Sequence, residues 1–201
     1  MILLISDYKY PNGDAGSVRF HNFALTLKGL GYSAFVIGNG AITNEVEYHE
    51  SIPYVSLRLP NRYLSYFSFS INLFRYLEKL RKQNDIEAII VGHVNIDTLL
   101  LLKNYCRRYR IKLIVDVVEW YSKFQFKHGK YSYGYIEKNI VNSKVISRPD
   151  RVIAISRYLE SYYKEKGIKT TRIPIYMSQS ECNVNYKKDF SKIIFTYAGQ
   201  L

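Results

Sequence analysis

Short apolar runs alternate with longer stretches whose apolar residues recur every three or four positions, and the alternation continues along most of the chain. Ile2–Ile5 is apolar throughout, the pattern of a strand buried on both faces. Phe20, Phe23, Ala24, Leu27 and Leu30 follow at helical spacing, and Gly31 is placed to end that helix in a left-handed conformation. The same reading predicts strands at Ala34–Ile37, Tyr54–Leu59, Ala88–Val91, Leu113–Val118, Val152–Ile155 and Arg172–Ile175. It predicts helices at Leu64–Lys82, Ile96–Tyr109, Tyr135–Ile146 and Tyr158–Lys166, the last closed by Gly167. Strand and helix in regular alternation require right-handed crossovers. The expected fold class is therefore α/β: a doubly wound, mostly parallel, Rossmann-like sheet.

In such sheets ligands bind outside the carboxyl ends of the strands. That rule singles out Ser6–Ser17, Gly92–Asn95, Val118–Tyr121 and Ser156–Arg157. From Ser178 to Lys192 the chain is polar and aperiodic, which is linker composition. Ile193 to Gly199 then reads as a fresh buried strand ending at a glycine turn. The expected organisation is one domain over 1–177, a linker over 178–192, and the first strand of a truncated second domain over 193–201.

Charge narrows the partners. Among 201 residues, Lys and Arg number 29 against 17 Asp and Glu, a net charge of +12. Such a field favours nucleotide diphosphates, nucleic acid or an anionic lipid surface. No nucleic-acid-binding signature is present, so nucleic acid is not an expected partner. The two cysteines, Cys106 and Cys182, suggest neither a zinc site nor a disulfide framework, which points to a reducing, cytoplasmic setting. The N-terminus lacks a basic region before its apolar run, and no apolar stretch approaches membrane-spanning length. The segment Leu64–Lys82 is apolar over about two-thirds of a helix circumference and ends in basic residues. It fits an interfacial helix on an anionic membrane or one wedged within the protein, and burial is favoured.

Candidate chemistry sits at the predicted carboxyl edge. Pro11-Asn12-Gly13-Asp14-Ala15-Gly16-Ser17 leads into a helix, and its small residues let backbone amides approach an anion. The spacing matches neither a dinucleotide fingerprint nor a P-loop. His93 directly follows a strand, where a neutral imidazole can hydrogen-bond a hydroxyl or phosphate. Asp116-Val117-Val118-Glu119-Trp120 closes another strand with two carboxylates and the single Trp. Alternation puts Asp116 and Glu119 on opposite faces, with Glu119 nearer the crevice and beside an aromatic platform suited to a sugar. The cluster Lys103, Arg107, Arg108, Arg110 and Lys112 reads as a solvated helix end.

Several segments together resemble the N-terminal domain of glycosyltransferase family 4. They are Ile2–Tyr8, Pro11–Gly16, Arg19–Leu27 and Gly29–Tyr32 at the start, Asp150-Arg151-Val152-Ile153-Ala154-Ile155-Ser156 near the end, and Phe195–Leu201. The resemblance implies the N-terminal half of a GT-B fold, in an enzyme that moves a sugar from a nucleotide diphosphate donor to an acceptor hydroxyl with retention. It implies no cofactor and no metal. Gly13, Gly16, Ser156 and Gly199 match donor-side positions, while His93, Glu119 and Trp120 fall on the acceptor side, with His93 and Glu119 as the catalytic candidates. The implied partners are a nucleotide sugar and a glycan or lipid-linked acceptor, with the protein cytoplasmic or peripheral at the inner membrane face. The chain departs from the family pattern in having Gly-Asp where Gly-Gly is frequent, and Val-Val-Glu-Trp where many members place a His. A non-enzymatic Rossmann-like ligand-binding domain is the alternative.

Overall fold

The computed structural model describes residues 1–40, 43, 45–57, 65–144, 146 and 149–176. The elements run β1 (Ile2–Lys9), α1 (Ala15–Gly29), β2 (Ala34–Asn39), β3 (Glu47–His49), β4 (Ile52–Ser56), α2 (Ser65–Gln83) and β5 (Ala88–Gly92). They continue as α3 (Ile96–Tyr109), β6 (Lys112–Val117), α4 (Tyr133–Ser143), β7 (Arg151–Ala154), α5 (Arg157–Glu165) and β8 (Thr170–Arg172). Among the described residues eight strands form one sheet in the order β3-β4-β2-β1-β5-β6-β7-β8. All pair in parallel except the edge hairpin β3–β4. The expected α/β, doubly wound, mostly parallel sheet is the observed one.

Alternation along each strand divides the core into two layers. Leu3, Ile5, Ile89, Val91, Leu113, Val115 and Val117 face the side covered by α2 to α5, where Leu73, Leu77, Leu99, Leu102 and Tyr163 meet them. Leu4, Val36, Ile90 and Ile153 face the other side, against Phe20, Phe23 and Ala24 of α1. Because the central strands are buried on both faces, they carry unbroken apolar runs. α1 ends as its glycine predicts: Gly31 takes φ +86°, and Tyr32 N donates to Leu27 O at 2.9 Å.

Four points of the strand reading need correcting. β1 continues to Lys9, beyond the predicted Ile2–Ile5, and β4 spans Ile52–Ser56, beginning before the predicted Tyr54–Leu59, whose last two residues lie outside the described residues. The last strand is Thr170–Arg172 rather than Arg172–Ile175, because an edge strand with exposed polar residues lacks the apolar run that marks its neighbours. The hairpin strand β3 was missed altogether. Its two-residue loop is Glu50-Ser51, both left-handed at φ 45° and 67°, geometry usually signalled by Asn-Gly. For α2 the burial reading holds: Phe69, Leu73, Leu77 and Leu80 enter the core, leaving Ile71 and Phe74 exposed. Among the described residues no helix is long and apolar enough to cross a membrane. The expected linker at 178–192 and strand at 193–201 lie outside the described residues.

Candidate functional site

The strand order reverses at β1, which lies between β2 and β5. Elements leaving β1 and β5 depart to opposite faces, with α1 on one and α3 on the other, and a crevice opens at their carboxyl ends. A cavity of about 510 Å³ occupies this position, lined by Tyr8, Asp14, Gly16, Arg19, His93, Val118, Glu119, Ile155 and Tyr176 among others. A smaller recess of about 50 Å³ shares His93, Val118 and Glu119 with it and adds Tyr121 and Lys138.

The loop after β1 is set by Asp14. Its carboxylate accepts from Gly16 N at 3.0 Å and Ser17 N at 3.1 Å, capping α1. The anion held by this helix N-terminus is thus the chain's own side chain, and the amides of Gly16 and Ser17 are already engaged. Gly16 has a steric role. A Cβ there would fall 2.1 Å from Cζ of Tyr8, so only glycine lets the buried Tyr8 ring lie under the first turn. Gly13 is likewise closed to a side chain, since its Cβ would meet Lys9 O at 2.0 Å.

Tyr8 supports His93. The two rings stack with centroids 5.1 Å apart and planes 13° from parallel, and Phe20 meets Tyr8 edge-on at 5.7 Å. His93 takes φ 46°, a left-handed turn that lifts it out of β5, and its carbonyl accepts from Asp7 N at 3.3 Å. Desolvation, and then the nearby Lys138 ammonium, hold its imidazole below the ordinary histidine value, with Asp14 opposing weakly. At neutral pH His93 is uncharged and offers one donor and one acceptor. Burial pushes the Tyr8 and Tyr121 phenols well above the usual range, and the Glu119 carboxylate beside Tyr121 adds to its shift through charge and a hydrogen bond. Both hydroxyls stay protonated.

Beneath the cavity lies a buried ion pair. Arg19 Nε and Nη2 donate to the two carboxylate oxygens of Asp116, each at 2.9 Å, with both side chains almost fully enclosed. Nη2 also donates to Ile173 O at 2.9 Å and Nη1 to Pro174 O at 3.1 Å. Asp116 therefore orients Arg19, and Arg19 ties the segment after β8 across α1. Tyr176 follows, packing on Phe23 with centroids 5.8 Å apart and walling the cavity.

Of the residues singled out from sequence, the structure brings Gly16, His93 and Glu119 into one cavity. Gly13 stands in the same loop but does not line it. Ser156 caps α5, accepting from Leu159 N at 3.3 Å, and the cavity wall nearest to it is the preceding residue, Ile155. Trp120 turns away to pack on Tyr158 and Tyr162, with centroids at 5.9 and 4.6 Å. Gly199 lies outside the described residues. Tyr8 and Tyr121 fall within the carboxyl-end stretches Ser6–Ser17 and Val118–Tyr121 but were given no role of their own. Lys138 escaped the sequence reading, since it reaches the site from a helix not expected to face it.

No family profile and no curated protein sequence matches the chain. Solved structures do. A UGT transferase from Siraitia grosvenorii in complex with UDP matches at TM-score 0.53 and 10% identity, over 88% of this chain and 51% of that one. Os79 from O. sativa in complex with UDP matches at 0.55 and 10%, over 86% and 50%. The fold is that of about half of each of these proteins. An alpha-glucosyltransferase in complex with UDP and a 13-mer DNA adds a third match at 0.50 and 15%, over 96% and 46%. This chain therefore spans about half the length of each of the three.

Proposed function

We propose that the chain is the N-terminal, acceptor-side domain of a retaining, family 4 glycosyltransferase of the GT-B type. The observation that carries this reading is the convergence of Gly16, His93 and Glu119 on a cavity at the switch point of a sheet with the glycosyltransferase fold. Neutral His93 and the carboxylate of Glu119 hydrogen-bond the acceptor hydroxyl and align it for attack, Glu119 being held by protonated Tyr121. Charge developing on the departing nucleoside diphosphate is met by the glycine loop at Gly13–Gly16, by Ser156 at the start of α5, and by Gly199 on the second domain. Since Asp14 holds two of the loop amides, donor binding requires that carboxylate to rotate aside or the phosphates to use other groups. Closure of the two domains excludes water from the reacting centre. No metal or cofactor takes part.

A lipid-linked or polysaccharide acceptor at the inner face of a membrane suits the surface beside the cavity. There Phe124, Tyr131 and Tyr133 are exposed among Lys123, Lys127 and Lys130, while α2, the earlier candidate for membrane contact, sends Phe69, Leu73, Leu77 and Leu80 into the core. The test is a panel of nucleotide sugars offered to the protein read through its whole open reading frame, with release of nucleoside diphosphate as the readout. Turnover of one donor by the long protein and none by residues 1–201 supports the proposal. A reading frame that stops near Leu201, with binding but no turnover, favours the non-enzymatic alternative.

A further inference from the structure

Away from the cavity, α1 and the β3–β4 hairpin bring two histidines and a glutamate together. His21 Nε2 lies 3.1 Å from Glu50 Oε2, the His21 and His49 rings are 4.8 Å apart, and one ligand atom from each of the three residues falls within 4.8 Å of the others. None of them lines the cavity. We propose that His21, His49 and Glu50 form a binding site for a transition-metal dication of the Zn²⁺ type, which clamps the edge hairpin to α1.

Three features support this. Two imidazoles and a carboxylate are a donor set for Zn²⁺, Co²⁺ or Ni²⁺, whereas Mg²⁺ and Ca²⁺ prefer oxygen alone. His21 is already oriented from behind: its Nδ1 lies 2.7 Å from the hydroxyl of buried Tyr10, which fixes the ring and directs Nε2 outward. Tyr10 also meets His49 edge-on at 6.2 Å, so one side chain positions both ligands. Finally, Glu50 adopts φ 45° in a turn where a non-glycine residue is costly, and that conformation carries its carboxylate to His21. Metal binding needs the donors to close to about 3.3 Å of one another, as tetrahedral ligands at ~2.0–2.1 Å require. His21 Nε2 and Glu50 Oε2 already lie within that distance at 3.1 Å, so the movement required is that of His49 on the edge hairpin, with a fourth position left to water. On binding, Nδ1–H donates to Tyr10 and the Nε2 lone pair takes the metal.

The experiment is calorimetric titration of the untagged, chelator-treated protein with ZnCl₂, paired with the visible spectrum of the Co²⁺ form. The expected result is one ion per chain with the d–d bands of a four-coordinate site and a raised Tm. His49→Ala and Glu50→Gln should each weaken binding at least about tenfold, and Tyr10→Phe about tenfold or more without changing stoichiometry. His128→Ala, remote from the cluster in sequence and contact, should bind as the parent does. Absence of stoichiometric uptake, uptake lost in His128→Ala, or affinity unchanged in both His49→Ala and Glu50→Gln would overturn the assignment.

Discussion

Replacing Gly16 with alanine isolates the contact on which the cleft wall depends. Gly16 is not left-handed, so the backbone accepts alanine and the effect is steric alone. The new Cβ would lie 2.1, 2.3 and 2.5 Å from three ring atoms of Tyr8. Ordinary carbon–carbon contact is ~3.5 Å, so the gap must open by about 1.4 Å. Tyr8 cannot yield freely, being enclosed by Phe20 edge-on and His93 face-on. Overpacking of this kind costs about 1–3 kcal/mol, and alanine returns up to about 1 kcal/mol of helix propensity. The expected net loss is about 1–2 kcal/mol, or roughly 2–8 °C in Tm for a chain of this size. Gly29, at the other end of the same helix, has nothing within 4 Å of a built Cβ, so Gly29→Ala should stabilise by up to about 1 kcal/mol. Urea unfolding measures both, and the His93 imidazole resonances report whether Tyr8 has moved. In a Tyr8→Ala background, Gly16→Ala should cost nothing. Gly16→Ala as stable as the parent, with His93 resonances unmoved, refutes the reasoning.

Other outcomes follow from the same geometry. Asp116→Ala strands Arg19 as a buried, unpaired cation and should cost about 3–5 kcal/mol in urea unfolding, whereas Arg19→Met combined with Asp116→Leu should recover much of it. A loss below about 1 kcal/mol for Asp116→Ala would contradict the buried pair. His93 should titrate below the ordinary histidine value by NMR, and Lys138→Met should move it upward. Because its folded value is depressed, the unfolded chain binds the proton more readily. His93 thus withdraws stability as pH falls below about 6.5 and has no effect above it. A His93 resonance titrating above that of a free imidazole would refute the assignment of its surroundings.

Much of the fold was legible because buried parallel strands write themselves as unbroken apolar runs, as at Ile2–Ile5 and Ala88–Val91, and helices as three-to-four spacing. The hairpin β3–β4 was not, because Glu47–His49 is polar and Glu50-Ser51 carries no glycine or asparagine to announce its turn. The carboxyl-edge rule found His93 and Glu119 from strand ends alone. It placed Trp120 in the cleft as well, but adjacency in sequence does not fix direction: the indole finds more apolar surface against Tyr158 and Tyr162. The loop glycines were read as room for a ligand; Gly16 also makes room for Tyr8, and the amides of Gly16 and Ser17 are held by Asp14, neither of which the local sequence announces. The pairing of Arg19 with Asp116, 97 positions apart, and the meeting of His21 with His49 are products of tertiary packing that no local pattern encodes.

The crevice between β1 and β5 is best interrogated by kcat/KM for sugar transfer in the protein extended through its full reading frame, comparing the parent with His93→Ala. If this imidazole aligns the acceptor, kcat/KM falls by about 10²-fold or more while the nucleoside diphosphate still binds with parental affinity. Transfer at the parental rate by the His93→Ala protein would contradict the proposed role of this crevice.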